Sequence, residues 1–237
     1  MSRWLPARLT QRTDQTATGR TLRFDVPGWP GHAPGQHVDV RLTADDGYQA
    51  VRSYSLAAPS DGRIIELGVQ VAPGGEVSPY LADDLPVGAL IEVKGPLGGW
   101  FRWTPEDRGP LLLIGGGSGV VPLMAMLRAR RTTAVHTEPC VLVYSVRDPD
   151  EVWYAQELNT PADGEDLRLL YTRRAPAGSP RPAGRITAGD LPDLEDPPEG
   201  PAATTYVCGP TAFVEHVSGL LLSAGRSPGR IRTERFG

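Results

Sequence analysis

The sequence predicts two domains of different class: an antiparallel β-barrel, then a doubly wound parallel α/β domain. Three observations predict this. The first hundred residues hold short β-rich segments parted by Gly, Pro and Asp clusters. The texture changes over residues 103–110, "WTPEDRGP". Beyond it, apolar runs alternate with helical patterns. The boundary is placed so that the domains are 1–107 and 108–237.

In the first domain, strands are expected at 19–26, 36–42, 51–57, 63–71 and 89–95. Within "VRSYSLA" (51–57), Val51, Ser53 and Ser55 alternate with Arg52, Tyr54 and Leu56. Arg52 and Tyr54 therefore share one face. Pro59, Asp61 and Gly62 then stop the pairing. A short helix is expected at 78–85, with Ser78 as its N-cap and Pro79 at its first position. In the second domain, strands are expected at 111–114, 141–144, 167–171, 206–207 and 230–233. Helices are expected from Val120, around 150–158 and over 211–224. Repeated βα units imply a parallel sheet covered by helices. Residues 178–201, rich in Pro, Gly, Asp and Glu, read as loop.

Composition narrows the classes. The chain has 237 residues, 40% hydrophobic and 22% charged, which suits a soluble globular protein. A net charge of −4 gives no general attraction to nucleic acid. Lys94 is the only lysine, so an anion site here is expected to use Arg. Cys140 and Cys208 are too few for a four-thiolate cluster or zinc site, and no metal is expected. Residues 110–127 carry no charge, but glycines and Pro122 interrupt them and "RARR" follows. A buried strand, glycine turn and helix fit better than a membrane span. The first residues show no signal-peptide core, and the expected location is the cytoplasm.

"LLLIGGGSGVVPLMAML" has the strand–turn–helix form of a phosphate cradle, with backbone N–H groups and a helix N-terminus aimed at an anion. Gly117-Ser118-Gly119 lacks the third glycine of the dinucleotide fingerprint. By itself the turn fits a tight structural connection equally well. The next strand ends with Arg147, Asp148 and Asp150, and the third with Thr172, Arg173 and Arg174. An acidic residue there suits a ribose hydroxyl, and an Arg suits a 2′-phosphate.

Five segments, in order, resemble the ferredoxin–NADP reductase superfamily, closest to its bacterial FAD-containing oxygenase-reductase branch without an iron–sulfur domain. They are "RSYS" (52–55), "GGEVSPYL" (74–81), "GGGSGVVP" (115–122), "YVCGP" (206–210) and "TERF" (233–236). The resemblance implies that Arg52 binds the FAD pyrophosphate and Tyr54 stacks on the flavin ring. Ser53, in the same segment, is implied to bind FAD as well. Ser55 would lie near flavin N5, a role that needs a twist or bulge at the strand end, since alternation points it the other way. Val69, Gln70 and Val71 would run alongside the flavin, and Gly75, Glu76, Val77 and Ser78 would cradle its phosphates. Phe236 would cover the ring. For NAD(P), the resemblance implies Gly116, Gly117, Ser118, Gly119 and Val120 at the pyrophosphate. It places Cys208, Gly209 and Pro210 beside the nicotinamide. Thr172 and Arg173 match a 2′-phosphate pair, with Arg147 or Arg174 assisting, so NADPH is expected ahead of NADH. Ser55, Cys208 and Glu234 are the implied catalytic residues.

The expected function is hydride transfer from NADPH or NADH to FAD. Electrons then pass to a separate acceptor, a ferredoxin or oxygenase component, because two cysteines build no cluster. A monomer without membrane or nucleic-acid partners is expected. Two other readings stay open: a diaphorase or flavin reductase acting on a small molecule, and a non-catalytic nucleotide-binding module. The intact Ser55, Cys208 and Glu234 argue against the latter.

Overall fold

The computed structural model describes residues 3–132, 138–192 and 201–236. Its first strand, β1 (Trp4–Asp14), is absent from the sequence reading. Leu5, Ala7 and Leu9 alternate inward along it. It is followed by β2 (Gly19–Asp25), β3 (His37–Thr43), β4 (Gln49–Ser55), β5 (Ile64–Gln70) and β6 (Leu90–Leu97). They form one antiparallel sheet in the order β4-β3-β6-β1-β2-β5. Its inner face buries Leu22, Phe24, Val38, Val40, Ile65, Leu67, Ile91 and Val93 with the β1 residues.

The sheet curls until its two end strands meet, as a barrel requires. They meet only just beyond β4, through the bridge Leu56–Leu67 and a 2.7 Å hydrogen bond from Ala57 N to the Glu66 carbonyl. A short helix, α1 (Val77–Pro79), continues as a wider turn over Tyr80–Asp84. Ser78 is not its N-cap: Glu76 holds that position, and Pro79 is the last α1 residue rather than the first. The Ser78 hydroxyl instead accepts the Ala72 N–H at 2.9 Å, pinning the loop that leads into the helix.

The second half contains β7 (Leu111–Gly116), α2 (Val120–Arg131), β8 (Cys140–Val146), α3 (Ala155–Leu158), β9 (Glu165–Tyr171), β10 (Thr204–Pro210), α4 (Thr211–Ser223) and β11 (Ile231–Phe236). All five strands are parallel, in the order β11-β10-β7-β8-β9. β7 and β8 are buried on both faces, which is why they read as unbroken apolar runs. α2 packs with Leu111, Leu113, Leu142 and Tyr206 on one face, and α4 with Leu112, Ile114, Val143 and Val207 on the other.

The helix expected around 150–158 is broken. A turn at Pro149–Glu151 gives way to Tyr154 in the left-handed region, φ 56°, before the four residues of α3. Val152, Trp153 and Tyr154 are driven inward as a buried wedge, and burying them outweighs continuing the helix. Residues 178–192 are largely irregular, with a 3₁₀ turn at Ala188–Asp190; the rest of that expected loop, through 200, lies outside the described residues. Among the described residues no helix is long and apolar enough to cross a membrane.

Candidate functional site

β4 is an end strand. β3 pairs with one side of it, and its other edge has no strand partner until Leu56 reaches Leu67. A seam is therefore left between β4 and β5. Tyr54 sits opposite buried Val38 and Arg52 opposite buried Val40, so both face inward, as alternation predicts. Arg52 is exposed, and its Nη1 donates only to the Val51 carbonyl, at 2.8 Å. Among the described residues it has no carboxylate partner. Tyr54 is half-buried, and burial pushes its phenol up to about 12 against the opposing pull of Arg52. An uncommitted guanidinium beside a half-buried ring suits a ligand that is an anion at one end and flat at the other.

The remaining seam residues are also placed. Ser53, expected to bind FAD, instead points outward, since alternation puts it on the face opposite Arg52 and Tyr54, and its hydroxyl donates to Asp39 at 2.7 Å. Val69 is buried on β5, Gln70 Nε2 donates to the Thr18 hydroxyl at 2.6 Å, and Val71 N donates to the Thr18 carbonyl. Glu76 accepts the Tyr48 hydroxyl at 3.0 Å, and Gly75 N closes a turn on the Ala72 carbonyl. Val77 and Ser78 are buried beneath this turn. A cavity of about 730 Å³ opens beside it, lined by Tyr48, Ala50, Glu76, Val77 and Leu90.

Ser55 faces away from Tyr54, as alternation requires, and lies opposite His37 of β3. Its hydroxyl donates to Glu234 Oε1 at 3.4 Å, and His37 Nδ1 is 3.9 Å from Glu234 Oε2. Glu234 lies on β11 in register with Cys208 of β10. Burial raises the Glu234 carboxyl to about 7, opposed by the Ser55 hydrogen bond. Burial, helped by the Glu234 charge, pushes the Cys208 thiol well above its usual range. Burial lowers His37, with Asp39 pulling the other way. The structure thus brings the three predicted catalytic positions together; β4 keeps a regular register with β3 through Ser55, while the pairing of β3 with β6 shifts register between His37 and Asp39. His37 was missed by the sequence reading; only the register that pairs it with Ser55 marks it. Phe236, 40% exposed, continues β11 opposite Pro210.

β7 leads to β8 on one side, while the chain returns through β10 on its other side. The edge between β7 and β10 is therefore the topological switch point, where ligands of open α/β sheets bind. Both glycine-bearing strand ends lie there. Gly117 takes φ +56°, and Gly119 is packed so closely that a Cβ would overlap the Cys208 carbonyl. A Cβ at Gly116 or Gly209 would strike the Phe213 ring, a second contributor the sequence reading missed. Ser118 is half-buried in the turn, and Val120 starts α2.

Further along this edge, Thr172 N donates to the Val146 carbonyl at 2.8 Å, tying the β9 end to the β8 end. Arg174 is engaged by Asp148 at 3.2 Å and Asp150 at 2.8 Å. Arg147 is exposed, 3.9 Å from Glu151. Arg173 is exposed and has no ion-pair partner among the described residues. Of the three predicted cations, Arg173 is the one whose charge is not matched by a neighbouring carboxylate.

Residues 6–102 match the family described as the oxidoreductase FAD-binding domain, and residues 113–219 the oxidoreductase NAD-binding domain. The chain is 31% identical over 243 residues to the reductase component, ferredoxin–NAD(P)(+), of the naphthalene 1,2-dioxygenase/salicylate 5-hydroxylase systems of Ralstonia sp; the match covers 98% of this chain and 70% of that relative. A cytochrome P450 reductase from Amycolatopsis superposes with a TM-score of 0.81 at 27% identity, covering 99% of this chain and 70% of that one. The flavohem-like FAD/NAD-binding domain of nitric oxide dioxygenase from Vibrio cholerae has the same fold, with a TM-score of 0.82 at 24% identity and 98% of both chains covered.

Proposed function

Because the chain belongs to the ferredoxin reductase superfamily, with its FAD-binding and NAD-binding oxidoreductase domains, we propose that the β4–β5 seam takes FAD and the β7–β10 switch point takes NAD(P)H. The protein is an FAD-dependent NAD(P)H oxidoreductase that passes electrons to a separate acceptor. Several relatives are named as reductase components of oxygenase systems, which supports our reading that a ferredoxin or oxygenase component is this chain's acceptor. When bound, the flavin accepts a hydride from the nicotinamide and releases electrons one at a time.

The protein's own groups bind, orient and manage a proton. Arg52 meets the FAD pyrophosphate as a planar fork, and Tyr54 supplies the flat apolar wall. Gly75, Glu76, Val77 and Ser78 shape the turn beside them, with Val69, Gln70 and Val71 along the opposite wall. The 730 Å³ cavity, lined by Ala50 one inward position before Arg52, is the room assigned to the adenosine end. Gly116, Gly117, Ser118, Gly119 and Val120 receive the nucleotide pyrophosphate. Thr172 and Arg173 read its ribose end; Arg174 belongs to the strand-end structure, held by two aspartates.

Glu234, with a carboxyl near 7, can hold or give up a proton at neutral pH. Ser55, on the strand that borders the seam but facing away from Tyr54, donates a hydrogen bond to it, and half-buried His37 lies beside its other oxygen. Cys208, fully buried with its thiol held neutral, packs behind Gly209 and Pro210 rather than acting as a nucleophile. Phe236 closes the open side. One chain supplies every part of this site, so a monomer suffices, and a cytoplasmic setting gives it the cell's NAD(P)H pool. We take the domain boundary at 107/108, a choice supported by the gap between the matched segments 6–102 and 113–219.

The observation that carries this reading is the Ser55–Glu234 hydrogen bond, which joins the flavin-side strand to the nicotinamide-side sheet. The test is to load the protein with FAD and record its visible spectrum during anaerobic addition of NADPH or NADH. Bleaching of the flavin band is expected. A protein that takes up no FAD, or holds it unbleached, overturns the reading.

A further inference from the structure

Arg128, on α2, lies outside the site described above, and its guanidinium crosses to the barrel. Nη1 donates to the Ala57 carbonyl at 2.9 Å and to Glu66 Oε1 at 2.7 Å. On its own side, Nε and Nη2 donate to Glu157, at 3.1 and 2.7 Å. Its Cζ lies 4.9 Å from the Tyr154 ring centroid. Glu157 also accepts from Arg131, which in turn bonds Glu165. Arg128 and Glu66 are largely withdrawn from water, with side chains 22% and 17% exposed.

Ala57 follows Ser55 by two residues, and Glu66 stands on β5 three residues before Val69. The hydrogen bond from Ala57 N to the Glu66 carbonyl is the one that closes the barrel below the seam. One guanidinium thus grips both walls of that seam at the point where they meet.

The helix bearing Arg128 is held to the same wall a second time. Val121 lies seven residues earlier, two turns away on the same helix face. It packs so closely on Gly68 that a Cβ there would collide with it. Gly68 and Glu66 are two apart on β5 and share a face. α2 itself begins where the glycine turn Gly117–Gly119 ends. A single twelve-residue helix therefore has the nucleotide turn at one end and the seam's closure at the other.

We propose that Arg128 is a positioning residue that sets how the nicotinamide meets the flavin, by locking α2 to both strands flanking the seam. This rests on the assignment of FAD and NAD(P)H above. An apolar residue of similar length would fill the space but leave Glu66 without its cation and Glu157 with Arg131 alone. A lysine would keep the charge but lose the planar fork that reaches both lobes at once.

The test compares Arg128→Met with the parent, both loaded with FAD. The variant is expected to retain FAD and to bind ADP-ribose, a ligand lacking the nicotinamide, within about twofold of the parent. Its flavin bleaching at saturating NAD(P)H is expected to slow by ~10- to 100-fold, the scale set by a misplacement of about 1 Å. Arg128→Lys is expected to recover part of the rate, and hydrogen exchange at the Ala57 amide to quicken in Arg128→Met. A bleaching rate within about twofold of the parent overturns the proposal, whatever the change in melting temperature. If Arg128→Met fails to fold, Gly68→Ala displaces the same helix without touching a charge, and an unchanged rate there overturns it equally. A parent protein that NAD(P)H does not bleach overturns the cofactor assignment, and this proposal with it.

Discussion

Ser55 and Glu234, 179 residues apart in sequence, meet across the two lobes in a hydrogen bond of 3.4 Å. The carboxyl is held at about 7 mainly by its removal from water. A folded value above the unfolded one, 4.5, favours the protonated form. The carboxyl's share of stability is therefore present in full below pH 4.5 and lost as pH rises to about 7. Glu234→Gln, neutral at every pH, removes that dependence. Thermal unfolding of parent and variant at pH 4.5 and 8 is expected to show a smaller loss in the variant, by ~1–3 kcal/mol.

Arg52→Ala is expected to weaken FAD binding by about ten- to a hundredfold, the size of a lost charge-assisted hydrogen bond. Tyr54→Ala is expected to weaken it as well, through lost stacking. Equilibrium dialysis, with FAD followed by its fluorescence, checks both. The outward-facing Ser53→Ala is expected to have little effect.

Gly119→Ala and Gly117→Ala separate space from conformation. A Cβ at Gly119 meets the backbone of Cys208 and Gly209, so β10 has to move. A Cβ at Gly117 meets open space but sits at φ +56°. The first change is expected to cost ~1–3 kcal/mol by overpacking and to weaken NAD(P) binding. The second is expected to cost about 1 kcal/mol from backbone strain alone. Melting temperature and a nucleotide titration on each variant check the order.

Arg173→Ala is expected to lower kcat/KM for NADPH by about tenfold or more, and to leave NADH within about twofold. Arg174→Ala, which frees Asp148 and Asp150, is expected to disturb the strand-end structure and affect both coenzymes alike. Steady-state kinetics with the two coenzymes checks this; an equal effect of Arg173→Ala on both removes it from 2′-phosphate recognition.

Much of this architecture was legible from residue patterns, for physical reasons. β7 and β8 are buried on both faces, and continuous apolar runs are what such strands require. Arg52 and Tyr54 share a face because alternation is a property of the extended backbone. β1 escaped because its register shifts between Leu9 and Gln11, breaking the period, and its second half is polar. The helix around 150–158 was overextended because nothing local reveals that Trp153 and Tyr154 would be buried as a wedge. Ser78 has the chemistry of a cap, but its hydroxyl was claimed by the Ala72 N–H. His37 and Phe213 act through neighbours distant in sequence, which no local spacing records.

Both cysteines lie fully out of reach of reagents: Cys140 is 1% exposed with its thiol pushed up to about 12, and Cys208 is 0% exposed. Native protein should therefore stay silent toward maleimides, which attack the thiolate. That silence makes the fold a ready host for fluorescent labelling. A cysteine introduced at Trp100 in one lobe and another at Leu222 in the other, 61% and 48% exposed, would carry a donor and an acceptor dye free of background. Their energy transfer would report, molecule by molecule, whether the lobes breathe during turnover.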